Sequence, residues 1–167
     1  MMTAPPEVIP LPDTGTYERA ALVGDPPRIL VVDDDKGFRE MLRDFLLDDG
    51  FDVVGEAPDG VEAVTAAGRL RPDVIVMDMR MPRMGGLEAT RRIKNAIPET
   101  QVVILSAYED RALKRGAEEL GVYGYLIKGC PPSLLVDTLR FAWSFKKGST
   151  RARVLPFEHS GGLESSS

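Results

Sequence analysis

Hydrophobic positions follow two alternating patterns through most of this chain. Short unbroken apolar runs rich in Val and Ile predict strands that are buried on both faces of a sheet. Between these runs, apolar residues recur at helical spacing, which predicts amphipathic helices. The first such stripe consists of Phe38, Met41, Leu42, Phe45 and Leu46.

The two patterns alternate to give five strands and five helices. We place the strands at residues 28–32, 52–57, 74–78, 101–106 and 124–127. The apolar stripes of the helices span residues 38–46, 61–67, 87–97 and 113–120, and a last helix opens at 131–133 and runs to about 147. Asp35 can cap the first helix, and Gly68 with Pro72 should end the second.

This alternation predicts a doubly wound α/β fold. Successive parallel strands need right-handed crossovers, so a five-stranded parallel sheet with helices on both faces follows. Of the two common strand orders, five strands fit the flavodoxin-like order 2-1-3-4-5. In such a sheet, ligands bind beyond the carboxyl ends of the strands, at the point between strands one and three where the order reverses.

The strand and helix pattern covers residues 28–147, which we expect to form one domain. Residues 1–27 are rich in Pro, Thr, Gly and Asp and predict a disordered leader. Residues 148–167 end in a Gly/Ser-rich stretch and predict a flexible tail.

Composition excludes several classes of protein. Hydrophobic residues make up 43% of the 167 residues and charged residues 28%, values typical of a soluble globular protein. No apolar run approaches the roughly 20 residues that cross a membrane. The net charge of −5 argues against binding of nucleic acid by this chain through overall charge.

The rare residue types narrow the chemistry further. A single cysteine, Cys130, excludes an internal disulfide and suits a reducing compartment, so we expect a cytoplasmic protein. The only histidine, His159, lies in the predicted tail, which argues against Ser-His-Asp catalysis and histidine-built metal sites. Any metal bound by this chain should therefore have oxygen ligands.

Polar residues stand at the ends of the strands around the predicted binding point. Asp33 and Asp34 end the first strand, Asp78 the third, Ser106 the fourth and Lys128 the fifth. Singly, each has an ordinary explanation as a helix cap, a polar strand end or a surface lysine. Together, the topology brings all of them to one crevice.

Three carboxylates in one crevice need a counter-charge. Each pair of unit charges 4 Å apart repels by about 4 kcal/mol at an effective dielectric constant of 20. Lys128 can supply one positive charge, and Mg²⁺ fits the rest because it binds one or two carboxylates and completes its shell with water and phosphate oxygens. A carboxylate on Mg²⁺, beside a lysine and a hydroxyl, could accept a phosphoryl group.

These motifs identify a family resemblance. The chain from about residue 28 to 147 resembles a two-component response regulator receiver domain. The resemblance is carried by residues 29–34, 74–82 with Gly86, 104–107 and 124–128. It implies that Asp78 is phosphorylated by a histidine kinase, a phosphotransfer protein or a small phosphodonor.

The resemblance also implies roles for the surrounding residues. Asp34, Asp78 and the backbone carbonyl of Arg80 would bind Mg²⁺, and Asp33 would act through a water molecule. Lys128 and Ser106 would bind phosphoryl oxygens.

Ser106 and Tyr125 match the family's switch pair. Phosphorylation would draw the Ser106 hydroxyl toward the phosphoryl group, move the Tyr125 ring inward and reshape the surface of helix four, strand five and helix five. That surface would bind a downstream protein or a second copy of the chain. On the last helix, Trp143 and Phe145 are candidate contacts for such a partner.

Four positions distinguish this chain from the common family pattern. Gly129 follows Lys128 where many members have proline, and a cis bond before glycine would cost about 3 kcal/mol. Gly85 stands where Asp or Asn is common. Arg80 and Tyr108, at positions that tune autodephosphorylation in the family, are bulky and should lengthen the phosphorylated lifetime.

Four interpretations follow. We favour a single-domain regulator that is not an enzyme beyond its own phosphorylation and dephosphorylation. The Lys-Gly pair also resembles regulators with helix-turn-helix outputs, so the chain could be the receiver part of a longer DNA-binding regulator. A third interpretation is a haloacid dehalogenase-type phosphatase, a family that needs Asp-x-Asp-x-Thr/Val after its first strand. In this chain Asp33 and Asp35 have that spacing, but Gly37 stands at the Thr/Val position. A pseudo-receiver would lack an acid or the lysine, and neither is missing.

Overall fold

The computed structural model describes residues 25–146. Ten elements follow one another in the order β1 Arg28–Val32, α1 Lys36–Asp48, β2 Asp52–Ala57, α2 Gly60–Leu70, β3 Val74–Met77, α3 Gly86–Ala96, β4 Gln101–Ser106, α4 Arg111–Glu119, β5 Gly124–Ile127 and α5 Pro132–Lys146. Most of the predicted leader, residues 1–24, and the whole predicted tail at 148–167 lie outside the described residues.

The strands form one parallel sheet in the order β2-β1-β3-β4-β5, which confirms the predicted fold class and strand order. Register places the end of β1 level with the end of β3, since Val32 pairs with Met77. Ser106 at the end of β4 pairs with Ile127 at the end of β5. The next residues along β1, β3 and β5 are Asp33, Asp78 and Lys128, so the sheet itself delivers these side chains to one edge.

Helices cover both faces of the sheet. On one face α2, α3 and α4 pack against strand residues such as Leu30, Val32 and Ile75. On the other, α1 and α5 pack against Ile29, Val31 and their neighbours. Alternate residues of β1 therefore enter opposite cores, which is why each central strand is apolar throughout.

The end of α2 differs from the sequence prediction, and α4 shows how little of its surface is buried. α2 continues through Gly68 to Leu70 and ends at Arg71, which adopts a left-handed conformation with φ of 50° just before Pro72. Gly68 lies on an exposed part of the helix and does not stop it. In α4, which contains most of the predicted stripe at 113–120, Ala117 is the buried residue.

Across residues 25–146, every helix is too short or too polar to span a lipid bilayer.

Candidate functional site

Three carboxylates meet where β1 and β3 leave the sheet. Asp33, Asp34 and Asp78 each place a carboxylate oxygen within 4.8 Å of those of the other two. Asp33 and Asp78 are buried, at 2% and 6% exposure, whereas Asp34 is exposed. A cluster of hard oxygen donors that is open on one side suits Mg²⁺, which keeps part of its water shell.

The backbone around Asp33 is fixed by neighbouring elements. Its N–H donates to the carbonyl of Ala57 on β2 at 3.1 Å, and its Oδ1 accepts from the N–H of Asp35 at 2.9 Å. Asp35 in turn caps α1, since its Oδ1 accepts from the N–H of Phe38 at 3.0 Å. The predicted cap is confirmed, and the loop that carries the two acids is tied to a helix end.

Asp78 is held in a similar way by the start of the following loop. Its N–H donates to the carbonyl of Val32 at 3.0 Å, and its Oδ1 accepts from the N–H of Met79 at 2.8 Å. A Cβ atom on Gly86 would overlap the carbonyl oxygen of Asp78. Glycine is therefore required at Gly86 for α3 to begin this close to the acid.

Lys128 supplies the positive charge of the site. Its Nζ lies 2.6 Å from Oδ2 of Asp33 and 3.7 Å from Oδ2 of Asp78. The same ammonium lies 4.3 Å from the centre of the Phe38 ring, a cation–π contact. Burial alone lowers the pKa of Lys128, but the hydrogen bond to Asp33 and the charges of the three acids outweigh it and raise the pKa above its usual value. Lys128 thus remains protonated at neutral pH.

The carboxylate of Asp78 is energetically unfavourable in this setting. Burial, and then the negative charge of Asp33, raise the pKa of Asp78 from 3.8 to about 6, with Lys128 acting in the opposite direction. A bound cation would relieve this cost by neutralising part of the charge.

The two predicted switch residues share one hydrogen-bond acceptor. The Ser106 hydroxyl donates to the backbone carbonyl of Tyr108 at 3.1 Å, and the Tyr125 hydroxyl donates to the same oxygen at 3.2 Å. Tyr125 is 6% exposed, so its ring already lies in the inward position. The sequence resemblance assigned that position to the phosphorylated form.

Arg80 and Tyr108 contact each other. The guanidinium of Arg80 lies 5.3 Å from the centre of the Tyr108 ring and 3.5 Å from Oδ2 of Asp110. Asp110 also caps α4 by accepting from the N–H groups of Ala112 and Leu113. Both predicted lifetime-tuning residues are well exposed, at 64% for the Arg80 side chain and 63% for Tyr108.

Sequence reasoning missed the anchor of the loop between β3 and α3, which carries Arg80. Asp59, 4% exposed, caps α2 through the N–H of Glu62 and pairs with Arg83 of this loop at 3.2 Å. The N–H of Gly60 donates to the carbonyl of Met84 at 2.9 Å. In the sequence, Asp59-Gly60 indicates only a turn, because the partners of both residues lie in a distant segment.

Gly129 explains how the chain leaves β5 without proline. Within residues 25–146 every peptide bond is trans, and Gly129 has a φ of 94°. This left-handed conformation favours glycine over other residues. Gly129 therefore makes the turn after β5 with a trans peptide bond and a left-handed conformation, where many family members have proline.

The two candidate partner residues on α5 differ in exposure. Phe145 is 46% exposed, and its ring centre lies 6.0 Å from that of Tyr123. Trp143 is half-buried and packs against the core on the α1 and α5 side of the sheet. Phe145 thus presents more surface to a partner than Trp143 does.

Comparison with known proteins places the chain in a family. The family described as the response regulator receiver domain matches residues 29–140. The chain is 36% identical over 112 residues to the chemotaxis protein CheY of Thermotoga maritima, covering 67% of this chain and 93% of that protein. It is 37% identical over 118 residues to the response regulator GacA of Pseudomonas viridiflava, covering 70% of this chain but only 55% of GacA.

Solved structures agree with this placement. The response regulator domain of Thermotoga maritima CheB is 34% identical and superposes with a TM-score of 0.67, covering 71% of this chain and 97% of that one. The chain belongs to the response regulator receiver domain family. It is accordingly a signalling domain of the two-component type.

Proposed function

We propose that the chain is a phosphorylation-dependent switch that accepts a phosphoryl group on Asp78. The observation that carries this proposal is the placement of carboxylate oxygens of Asp33, Asp34 and Asp78 within 4.8 Å of one another, with Lys128 ion-paired to Asp33 and Asp78. The raised pKa of Asp78 supports the proposal, because buried acids with strongly shifted pKa values cluster at functional sites.

The donor set supports Mg²⁺ as the cofactor. Asp34 and Asp78 would bind the ion directly with the backbone carbonyl of Arg80, and Asp33 would act through a water molecule. When bound, Mg²⁺ would neutralise charge on the acids and on the incoming phosphoryl group. Lys128 is then free to leave Asp33 for a phosphoryl oxygen, since the ion takes over part of its electrostatic role.

Transfer requires Asp78 to act as the nucleophile. One carboxylate oxygen forms a bond to phosphorus while the bond from phosphorus to the donor breaks, and the donor keeps that electron pair. The donor is a phosphohistidine of a histidine kinase or phosphotransfer protein, or a small phosphodonor. Lys128 and the Ser106 hydroxyl bind the transferred group, and Arg80 with Tyr108 restricts the approach of hydrolytic water to it. A phosphorylated lifetime under a minute in Mg²⁺ buffer would contradict this last role.

The output follows from the Ser106 and Tyr125 pair. A Ser106 hydroxyl that turns toward the phosphoryl group leaves the Tyr108 carbonyl to Tyr125 alone and changes the surface formed by α4, β5 and α5. That surface, with Phe145 and to a lesser extent Trp143, would bind a downstream protein or a second copy of the chain. We place this switch in the cytoplasm, where kinases of this type deliver phosphate.

Incubation with acetyl phosphate and Mg²⁺, followed by intact mass measurement, tests the proposal. We expect addition of one phosphoryl group, loss of the addition in Asp78→Ala, and loss when Mg²⁺ is chelated. Turnover of an external phosphoester without a stable adduct would instead support the haloacid dehalogenase-type phosphatase.

A second candidate is the receiver part of a longer DNA-binding regulator. The chain spans about half the length of GacA, and its Lys128-Gly129 pair resembles regulators with helix-turn-helix outputs. An immunoblot of native cells, with an antibody raised against residues 25–146, distinguishes the single-domain switch from the longer regulator. A band at the 18.3 kDa of this chain supports the single-domain switch, and a substantially larger band supports the longer regulator.

A further inference from the structure

Arg39 on α1 makes a contact that the phosphorylation chemistry does not use. Its side chain is only 14% exposed. One guanidinium nitrogen donates to the backbone carbonyl of Asp33 at 2.7 Å, and Nε donates to Oε1 of Glu56 at 3.1 Å. A single side chain therefore joins α1, β2 and the loop that carries the acids.

The carbonyl that Arg39 holds belongs to the peptide unit between Asp33 and Asp34. The other contacts of Asp33 fix its N–H, which bonds Ala57, and its carboxylate, which bonds Asp35 and Lys128. Arg39 is the contact that fixes the plane of the following peptide. The direction of that plane sets where the exposed carboxylate of Asp34 can reach.

Glu56 keeps the guanidinium in place. Its Oε1 accepts from Arg39 and its Oε2 accepts from Arg43 at 3.1 Å. Arg43 also pairs with Asp44, and among the contacts of residues 25–146 it does not reach the loop of the acids. Arg39 and Arg43 thus both pair with Glu56, but of the two only Arg39 contacts the loop that carries Asp33 and Asp34.

We infer that Arg39, held by Glu56, is a positioning residue for the Mg²⁺ site. It contacts neither the metal nor the phosphoryl group. It orients the peptide unit between Asp33 and Asp34 so that both side chains face the same ion. This inference rests on the proposed function, because it assumes that the acids bind Mg²⁺.

Charge and position predict opposite effects. A positive charge beside the loop that carries the acids by itself disfavours a second cation, so loss of the Arg39 charge alone would tighten Mg²⁺ binding. Loss of an orienting hydrogen bond would weaken it, and removal of groups that orient metal ligands typically costs 10- to 100-fold in affinity. The sign of the change therefore separates the two accounts.

The experiment measures Mg²⁺ binding by calorimetry and the rate of phosphorylation by acetyl phosphate as a function of Mg²⁺. The variants are Arg39→Ala, Arg39→Lys and Glu56→Gln, with Arg43→Ala as the matched control that also loses a Glu56 contact. We expect Arg39→Ala to raise the Mg²⁺ concentration for half-maximal rate about tenfold or more, while the rate at saturating Mg²⁺ stays close to that of the original protein. In Arg39→Lys and Glu56→Gln the Mg²⁺ concentration for half-maximal rate should lie between the values of the original protein and Arg39→Ala. In Arg43→Ala it should change little.

Three results would overturn the inference. These are unchanged or tighter Mg²⁺ binding in Arg39→Ala, an equal loss in Arg43→Ala, and a lower saturating rate with an unchanged Mg²⁺ requirement. If Arg39→Ala does not fold, Arg39→Lys and Glu56→Gln decide the question against the same control. Failure of the proposed function is distinguishable, because the unaltered protein would then bind no Mg²⁺ and accept no phosphoryl group.

Discussion

Ser106 and Tyr125 are joined through one atom: the hydroxyls of both donate to the backbone carbonyl oxygen of Tyr108, at 3.1 Å and 3.2 Å. Ser106 lies at the end of β4, and Tyr125 lies within β5, one of the three elements of the surface proposed for partner binding. A change in the direction of the Ser106 hydroxyl therefore alters the hydrogen bonding of Tyr125 directly. No rearrangement of the strands is needed to connect the two residues.

This shared acceptor predicts that the response of Tyr125 depends on Ser106. Beryllofluoride with Mg²⁺, a stable mimic of the phosphoryl group, should shift the ring NMR signals of Tyr125 in the unaltered protein. The shift should be lost in Ser106→Ala, and Tyr125→Phe identifies the signals. An equal shift in Ser106→Ala would contradict the coupling.

Asp34 and Asp35 provide a matched test of the metal site, since they are adjacent acids with different contacts. Asp35 caps α1, a role that asparagine also fills, so Asp35→Asn should change stability and Mg²⁺ affinity little. Asp34→Asn removes a charged ligand and should weaken Mg²⁺ binding about tenfold or more. Calorimetric titration of both variants compares them at equal net charge. Equal affinities would argue that Asp34 is not a ligand.

Lys128→Met should separate metal binding from phosphoryl transfer. The ammonium lies 2.6 Å from Asp33 and 3.7 Å from Asp78, so its removal leaves the acids without their main counter-charge. Mg²⁺ should bind at least about tenfold more tightly, because the ion no longer meets the repulsion of the ammonium. A tenfold gain corresponds to about 1.4 kcal/mol, well within the roughly 4 kcal/mol of one pair of unit charges 4 Å apart at an effective dielectric constant of 20. Phosphorylation by acetyl phosphate should nevertheless be slower, since the phosphoryl group loses a partner. Weaker Mg²⁺ binding in Lys128→Met, with Lys128→Arg as the charge control, would contradict this account.

The raised pKa of Asp78 makes the metal-free protein less stable as the pH rises. The folded protein holds this proton to about pH 6, whereas the unfolded chain releases it near 3.8. The folded state is therefore destabilised relative to the unfolded state between those pH values, and the loss persists above them. Asp78→Asn removes the charge and should raise the free energy of unfolding at pH 7 by on the order of 3 kcal/mol.

Urea unfolding in the presence of EDTA measures this gain. It should be small near pH 4, grow up to about pH 6, and remain constant at higher pH. Mg²⁺ should reduce the gain, because the ion binds more tightly to, and so stabilises more, the protein that keeps the Asp78 carboxylate. A gain that does not vary between pH 4 and pH 7 would show that Asp78 is an ordinary acid.

Much of the fold and the central acids could be predicted because they depend on short-range patterns. An apolar run that ends in Asp78 predicts both a strand and the position of the acid at its end, and the alternation with helices brings Lys128 to the same edge. The supporting contacts could not be predicted in this way. Arg39 pairs with Glu56 and Asp59 pairs with Arg83, each in another element or loop, and nothing in the local sequence of either residue indicates its partner.

The side-chain position of Tyr125 shows a second limit. The sequence predicts a strand residue there, but both inward and outward rings satisfy the strand pattern. The choice depends on the Tyr108 carbonyl, which the chain brings into reach only after β4 and β5 have paired.

The most direct test of the account is the mass of the protein after treatment with acetyl phosphate and Mg²⁺, measured intact and after proteolysis. The account predicts one added phosphoryl group on the peptide that contains Asp78, absent from Asp78→Ala and absent when EDTA is present. An unchanged mass, or an addition of equal size in Asp78→Ala, would contradict the assignment of Asp78 as the phosphoryl acceptor.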